Sequence, residues 1–310
     1  MSELTESDDL RWKLNHISPS KLSTWSDCQL KFWFRYVQGI KTPGKVWLPQ
    51  GTAVHGGVEH LLDDLVAGKE KDVEWYKLKV EDAWEKQVDR DKGIVISKQG
   101  FEMTESEKYQ ALQEAQHWFA GFYNAIAGGK TIAGFDPRTV TKTEVDAIRK
   151  VDFGTDEVMD VHVRGKIDWV ISTDGPIAKL ADLKTCHPRY GWTDLKAHAQ
   201  LQATAYGYLT HKPTDFDYIA IPKEDIFTAG GKPKATPKPV IPHRATTHRS
   251  TFHYEMFERR LRQFVELSDL ENEYAAFKPI PNHVPGKWGG QWCGHMCDYQ
   301  DHCKEMHGVR

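Results

Sequence analysis

Two short apolar segments that each carry charge in their interior constrain this chain most. Asp168 lies within Gly-Lys-Ile-Asp-Trp-Val at 165–170, and Asp182 and Lys184 lie within Ala-Asp-Leu-Lys-Thr at 181–185. Successive residues of a strand point to opposite faces, so Asp182 and Lys184 share a face. If the two strands pair, Asp168 reaches Asp182 across the ladder. The sequence therefore predicts two carboxylates and an ammonium on one face of a sheet.

Such a group is costly in a protein interior, because a buried charge requires a partner. Two carboxylates suit a hard divalent cation that prefers oxygen ligands, and a lysine beside them can orient or activate water. The alternative is two exposed acids with a salt-bridging lysine, since Asp-x-Lys is a common triplet. The apolar neighbours favour buried strands, and they are Ile167, Trp169, Val170, Leu180 and Leu183.

Three further polar residues lie on predicted helices. His55 stands beside two glycines at the start of a helix predicted over 52–68, where a backbone or a ligand can approach closely. Gln202 and Tyr206 are one turn apart on a helix predicted over 193–209. Such a pair can bind phosphate oxygens or hold a catalytic lysine. Without other context, a structural histidine and an ordinary polar helix stripe are the more common explanations.

Periodicity predicts an α+β chain in which helices come first and strands follow. Ser18 or Ser20 is the expected cap of the first helix, Thr52 that of the second, and Thr104 begins a capping box. Further helices are predicted over 73–127, 193–209 and 251–277. Strands are predicted over 139–148, 158–171, 177–185 and 216–221, and a loop over 223–242.

Composition excludes several classes of protein. The 310 residues are 39% hydrophobic and 27% charged, as in soluble globular proteins. No apolar run approaches the roughly 18 residues of a membrane helix. The polar start of the chain is not that of a signal peptide, so a cytoplasmic location is expected. The net charge of −3 does not by itself indicate a nucleic-acid binder.

The distribution of charge is more informative than its sum. No acidic residue occurs between Cys28 and Val58 or between Gly230 and Ser250, although both stretches contain lysine and arginine. Such stretches predict a surface that binds a phosphate backbone, although solvated loops are often basic by chance. The predicted nucleic-acid contacts are Lys232, Lys234, Lys238, Arg244 and Arg249.

The cysteines are unevenly placed, at Cys28, Cys186, Cys293, Cys297 and Cys303. A disulfide framework is not expected in a cytosolic chain, and the three at the end indicate metal ligands. Zinc would take a fourth ligand from His295, His302 or His307. An iron–sulfur cluster would take Cys28 instead. Spacing alone does not distinguish these metals, and Cys186 is expected to be a small buried hydrophobe.

Taken in order, the motifs resemble a known family. They are W-S-D-C-Q-L-K-F-W-F-R-Y, G-T-A-V-H, G-K-I-D-W-V, A-D-L-K-T, Q-A-T-A-Y and the terminal cysteines, and they span about Ile17 to Cys303. Together they resemble the RecB-type branch of the PD-(D/E)XK nucleases. Within it the chain is most similar to members with an iron–sulfur cluster, namely CRISPR-adaptation nucleases, AddB nuclease domains and phage exonucleases.

The resemblance implies a fold and a domain plan. The fold would be a restriction-endonuclease-like α/β core, a mixed sheet flanked by helices, with termini stapled by an iron–sulfur cluster. One nuclease domain would span 17–303 after an N-terminal tail at 1–16. Residues 69–135 would be a helical insertion, and 279–310 would carry the cysteine cluster.

The resemblance also implies roles for individual residues. The ligands of a catalytic Mg²⁺ or Mn²⁺ would be His55, Asp168, Asp182 and the carbonyl of Leu183. Lys184 would position or deprotonate the attacking water, and Gln202 and Tyr206 would line the site and contact DNA. The ligands of a [4Fe–4S] cluster would be Cys28, Cys293, Cys297 and Cys303. Their spacing is C-x3-C-x5-C where the family usually has C-x2-C-x5-C, and Asp182 stands where many relatives carry Glu.

The implied activity is metal-dependent hydrolysis of DNA, by an exonuclease on linear ends rather than a sequence-specific endonuclease. Such an enzyme would act in phage or bacterial recombination, replication or CRISPR-type processing, in the bacterial cytoplasm, where a recombination or CRISPR-adaptation protein would be its partner. Two alternatives remain. One is a non-catalytic module that grips nucleic acid through a cysteine-held metal, and the other is an RNA nuclease of the same fold.

Overall fold

The computed structural model describes residues 16–42, 44–90, 95–96, 101–151, 161–172, 175–189, 191–269, 297–299 and 302. Its helices are α1 (Pro19–Asp27), α2 (Gln29–Phe32), α3 (Trp47–Val66), α4 (Val73–Arg90), α5 (Glu105–Ile126), α6 (Asp194–His198), α7 (Leu201–Thr210) and α8 (Thr251–Asp269). Its strands are β1 (His16–Ile17), β2 (Gly44–Lys45), β3 (Val95–Ile96), β4 (Lys142–Val151), β5 (Val161–Ser172), β6 (Ala178–Cys186), β7 (Thr214–Pro222) and β8 (His243–Arg249).

Strand β5 organises the main six-stranded sheet. β4 pairs antiparallel with one edge of β5. Along the other edge β1 pairs in parallel at His162 and Val163, and β6 pairs antiparallel between Trp169 and Ser172. Within the described residues, positions 164–168 have no ladder partner on that edge, so the sheet has a gap there. β7 then pairs in parallel with β6, and β8 antiparallel with β7.

Helices cover both faces of this sheet. α3, α4 and α5 form one apolar core with Trp169 and Leu183, and α1, α7 and α8 form another with Ile167 and Leu180. Because strand residues alternate between faces, Asp182 lies on the face that bears α7. This mixed sheet between helical layers confirms the predicted α/β fold class. No helix in the described part of the chain is long and apolar enough to cross a membrane.

The caps of the first and fifth helices are as predicted, and that of α3 is not. Ser18 accepts a hydrogen bond from the Lys21 amide at the start of α1, and Thr104 forms a complete capping box. α3, however, begins at Trp47, and the Thr52 hydroxyl donates to a carbonyl one turn earlier. Pro49 lies in the first turn of α3, where a backbone amide has no partner within the helix. The proline therefore removes no helical hydrogen bond and does not break the helix.

Three other elements differ from the sequence pattern. The helix predicted over 73–127 is two helices, α4 and α5, with β3 between them. The helix predicted over 193–209 is two helices, α6 and α7, with a break at Ala199 and Gln200. Strand β8 was not predicted, because every residue of its sequence His-Arg-Ala-Thr-Thr-His-Arg except Ala245 is polar. α8 is described as far as Asp269, and the remainder of the helix predicted to 277 lies outside the described residues.

Candidate active site

Asp168 lies where β5 and β6 separate. The ladder pairs Trp169 with Ala181, and one step further along this register Asp168 stands opposite Asp182. Here the Asp168 side chain replaces a strand carbonyl, because its Oδ2 accepts a hydrogen bond from the Leu183 amide at 3.0 Å. Burial raises the pKa of Asp168, while the nearby charge of Lys184 acts in the opposite direction.

Helix α3 brings His55 to this carboxylate. His55 Nδ1 lies 3.4 Å from Asp168 Oδ2. A Cβ at Gly51, one turn earlier, would stand 3.1 Å from the Thr185 hydroxyl, so glycine lets α3 approach β6. Desolvation and the positive charge of Lys184 lower the pKa of His55 to about 4, although 31% of the side chain is exposed. The imidazole is therefore neutral at pH 7 and can act as a ligand.

Asp182 is the most deeply buried member of the group, with its side chain 1% exposed. Its Oδ1 accepts a hydrogen bond from Gln202 Nε2 at 2.7 Å. Its Oδ2 lies 2.5 Å from Lys184 Nζ, and no other donor among the described residues bonds this oxygen. Burial and the negative charge of Asp168 raise the pKa of Asp182 to about 6, against the effect of Lys184. Gln202 thus holds one carboxylate oxygen, and Lys184 contacts the other.

The residues Gln202 and Tyr206 meet as the helical spacing predicts. Gln202 Nε2 lies 3.0 Å from the Tyr206 hydroxyl while it also donates to Asp182. A Cβ at Gly165 would stand 2.7 Å from Cε1 of Tyr206. The glycine of the Gly-Lys-Ile-Asp-Trp-Val segment therefore allows α7 to pack against β5, with Gln202 at the carboxylate.

The donor atoms of this site suit a hard divalent cation. His55, Asp168 and Asp182 are electrostatic neighbours, since the charge of Asp168, and that of His55 when it is protonated, shift the pKa of Asp182. Carboxylate oxygens are the ligands that Mg²⁺ prefers, and the buried Oδ2 of Asp182 has no donor other than Lys184 within the described residues. Among the described residues, however, no set of three or more His, Cys, Asp or Glu side chains is arranged to hold a metal ion. His55 instead contacts Asp168, and Lys184 contacts Asp182.

Comparison with protein families decides the assignment. The model of the PD-(D/E)XK nuclease superfamily matches residues 16–304. The chain belongs to the PD-(D/E)XK nuclease superfamily. It is therefore a nuclease, which is a hydrolytic enzyme, and β5 and β6 carry its buried charged residues.

Solved structures resemble this PD-(D/E)XK nuclease distantly. A candidate exonuclease from Eubacterium rectale is 11% identical with a TM-score of 0.44, and each chain covers 100% of the other. The structure of SSO0001 is 12% identical with a TM-score of 0.35, over 96% of this chain and 94% of that one. TM-scores this low carry no argument about function. Comparison with curated proteins gives no match.

The basic loop at 223–242 packs against α5, which lies on the other face of the sheet from α7. Trp118 Nε1 donates to the Glu224 carbonyl at 2.9 Å, and Gln110 Nε2 to the Gly231 carbonyl at 3.3 Å, so α5 holds the loop. Lys232 and Lys238 are exposed. Lys234 is half-buried, and its ammonium donates to the Asp225 carbonyl at 2.8 Å.

The two arginines that follow this loop differ in environment. Arg244 Nε lies 2.9 Å from Asp217 Oδ1, and part of its side chain remains exposed. Arg249 is 1% exposed. The prediction that Arg249 contacts nucleic acid is therefore wrong, because its guanidinium is enclosed by the protein. It donates to three carbonyls at the junction of α6 and α7, those of Ala197, His198 and Gln200. Sequence reasoning missed this role, which no local pattern reveals.

Cys28 and Cys297 lie in the same region of the nuclease, although they are far apart in the sequence. Both border a small apolar cluster of Leu30, Phe34 and Tyr299. Burial raises the pKa of Cys297, and the neighbouring Cys28 thiol contributes to this shift. Cys186 is buried, as expected, while Cys293 and Cys303 lie outside the described residues.

Proposed function

We propose that this nuclease is a metal-dependent deoxyribonuclease that degrades linear DNA from its ends and leaves 5′-phosphates. The observation that carries the proposal is the buried Asp182, with Gln202 on one oxygen and Lys184 at 2.5 Å from the other. A purely structural role would not favour this arrangement, since burying an ion pair is often no better than packing apolar residues.

The carboxylates of Asp168 and Asp182, the His55 imidazole and the Leu183 carbonyl would hold Mg²⁺ or Mn²⁺. Such an ion polarises a phosphoryl oxygen and makes water a stronger nucleophile at neutral pH. The low pKa of His55 supports this role, because only the neutral imidazole is a ligand. The hydrogen bond from the Leu183 amide orients Asp168.

The remaining side chains would act on the phosphate and the water. Lys184 would orient the attacking water and stabilise the negative charge that develops on phosphorus-bound oxygen. Gln202 fixes Asp182 through Oδ1, so that Oδ2 stays directed toward Lys184. Burial raises the pKa of Tyr206, which keeps its phenol protonated. The hydroxyl oxygen accepts from Gln202, and its proton would be donated to a substrate oxygen.

The proposal includes a structural [4Fe–4S] cluster on Cys28, Cys293, Cys297 and Cys303. Two contacts between the segment after Cys28 and the segment after Cys297 support it. The Tyr299 ring stacks on Phe34 with centroids 5.8 Å apart, and the Tyr299 hydroxyl donates to the Ile40 carbonyl at 3.1 Å. Brown protein with absorbance near ~400 nm after purification without oxygen would support the cluster. Colourless protein with one bound zinc would contradict it.

Linear DNA labelled separately at its 5′ and 3′ ends tests the activity, with Mg²⁺ or Mn²⁺ and with EDTA. Release of one terminal label before the other is expected, with covalently closed circular DNA left intact. Cutting of the circle would contradict degradation from ends. Labelled RNA of the same sequence is the third substrate, and faster cleavage of RNA would contradict the DNA assignment.

A further inference from the structure

A cleft of about 600 Å³ opens beside the catalytic side chains. Lys184, Gln202 and Tyr206 form part of its lining. Its lining includes Gly165 and Lys166. Both belong to the part of β5 that lies between its pairing with β1 and its pairing with β6, and that part has no ladder partner on this edge among the described residues. The cleft therefore occupies the gap in the sheet.

The lining of this cleft is strongly basic. It contains four cationic side chains against one carboxylate, namely Lys21, Arg164, Lys166 and Lys184 against Asp146. A second cleft of about 580 Å³ at the start of α5 has the opposite character. Its lining contains no lysine or arginine, and its acids are Glu107, Glu114 and Asp225. In a chain of net charge −3, only the cleft beside Asp182 among these two suits a polyanion.

The cations on β5 are accessible to a ligand. The side chains of Arg164 and Lys166 are 57% and 58% exposed. Arg164 lies 3.6 Å from Asp146, and Lys166 pairs with Glu144, but exposed pairs of this kind are weak and are readily exchanged for a phosphate. They stand two residues apart on one strand.

The start of α1 supplies further polar residues and another cation to the lining. Ser18, Ser20 and Ser23 line the cleft. Lys21 also lines it, with its ammonium 2.9 Å from the His16 carbonyl. Hydroxyls and cations are the contacts that position a phosphate backbone.

The size of the cleft selects the form of the substrate. Its volume falls in the range of pockets that enclose small ligands, which leaves room for one or two nucleotides. A duplex brings two nucleotides with every base pair, so a cleft of this volume has room for no more than about one base pair of it. We propose that this cleft binds the unpaired end of one nucleic-acid strand, with phosphates paired to Arg164 and Lys166 next to Lys184. This inference rests on the proposed nuclease function and specifies its substrate as single-stranded.

Binding without cleavage tests the inference. The probe is a fluorescein-labelled oligothymidylate of about 12 nucleotides, followed by anisotropy in EDTA at several salt concentrations. Arg164→Gln and Lys166→Gln are each expected to weaken binding. Each should also reduce the slope of log K against log salt by about 0.7, the value for one phosphate contact on a single strand. Lys232→Gln and Lys238→Gln, which neutralise the rival basic loop, are expected to bind like the wild type.

Three results would overturn the inference. They are wild-type affinity and slope in both β5 variants, weaker binding only in the two loop variants, or equally tight binding of a blunt duplex that does not depend on Arg164 and Lys166. Thermal melts check that the four variants are folded, which is expected because all four side chains are largely exposed.

A parallel cleavage assay separates this inference from the proposed function. Loss of binding in the β5 variants of a protein that cleaves neither DNA nor RNA would contradict the nuclease chemistry and support the cleft. Full cleavage and full binding by the same variants would contradict the cleft and leave the nuclease function standing.

Discussion

Gln202 on α7 donates to Oδ1 of Asp182 on β6 across 2.7 Å, and the same amide nitrogen lies 3.0 Å from the Tyr206 hydroxyl. One helix therefore orients a carboxylate that a strand carries. The contact fixes the buried acid through the oxygen that faces away from Lys184. It also explains why a glutamine and a tyrosine one turn apart accompany the charged strand.

Replacing Gln202 should impair the reaction more than the fold. In Gln202→Ala the orientation of Asp182 is lost, and activity should fall by about 10- to 100-fold, as for other groups that orient ligands. Initial rates of DNA degradation measure the effect. Gln116→Ala, which removes an amide that donates to the Lys77 carbonyl on another helix, is the matched control. Equal rates for the two variants would contradict the role given to Gln202.

A methyl group at position 165 should displace Tyr206. The added Cβ of Gly165→Ala would come within 2.7 Å of the Tyr206 ring and 3.1 Å of the Leu209 side chain. Overpacking of this kind costs about 1–3 kcal/mol, so both melting temperature and activity should fall. Gly230→Ala is the control, because a Cβ there meets no atom within 4 Å. A stable and fully active Gly165→Ala protein would show that α7 does not need this close approach.

Arg249 is expected to stabilise the fold rather than bind DNA. Nη2 of its guanidinium donates to three buried or half-buried carbonyls, and Nη1 donates to the Thr247 hydroxyl. The single ammonium of Arg249→Lys cannot replace both ends of this fork. Unsatisfied buried acceptors should lower the free energy of unfolding by about 1–3 kcal/mol, measured by urea denaturation. Arg244→Lys, which alters a more exposed arginine on the same strand, should have a smaller effect. An unchanged stability in Arg249→Lys, together with weaker DNA binding, would restore the surface role.

Mild acid should destabilise the protein through His243. The Trp192 amide donates to Nε2 of His243 at 3.0 Å, which requires this nitrogen to be unprotonated. Burial lowers the pKa of His243 below its ordinary 6.5. Below that pH the unfolded chain takes up a proton that the folded chain does not, so stability is lost as pH falls from 6.5 toward the folded pKa.

Urea denaturation at about pH 7.5 and about pH 5.5 measures this loss in the wild type and in His243→Gln. The glutamine carbonyl can accept the same hydrogen bond and does not titrate, so the variant should lose less stability between the two conditions. Equal losses in the two proteins would exclude His243 as a source of the pH dependence.

The charged strands were predictable because their signal is local. Alternation alone places Asp182 and Lys184 on one face, and an apolar setting around each acid predicts its burial. The helical spacing of Gln202 and Tyr206 is equally local. The contact of Gln202 with Asp182 is not, because it depends on Gly165 letting α7 approach the sheet.

Other features depend on distant parts of the chain. Arg249 is buried because carbonyls at the junction of α6 and α7, which are distant in the sequence, accept its hydrogen bonds. Its charge alone suggested a surface residue. The basic cleft exists because β1, a strand of two residues, and β6 share one edge of β5 and leave a gap between them. Neither a two-residue strand nor its pairing can be read from periodicity.

The most direct test of the central claim compares the wild type with Asp182→Asn in the degradation of end-labelled linear DNA. The control is Asp215→Asn, which alters an exposed acid of β7 that pairs with His248 of β8. The wild type and the control should release label with Mg²⁺ or Mn²⁺ and not in EDTA, while Asp182→Asn should be slower by at least about 100-fold. Wild-type rates in Asp182→Asn, or degradation that persists in EDTA, would contradict the claim that the buried carboxylate of β6 is the centre of a metal-dependent nuclease.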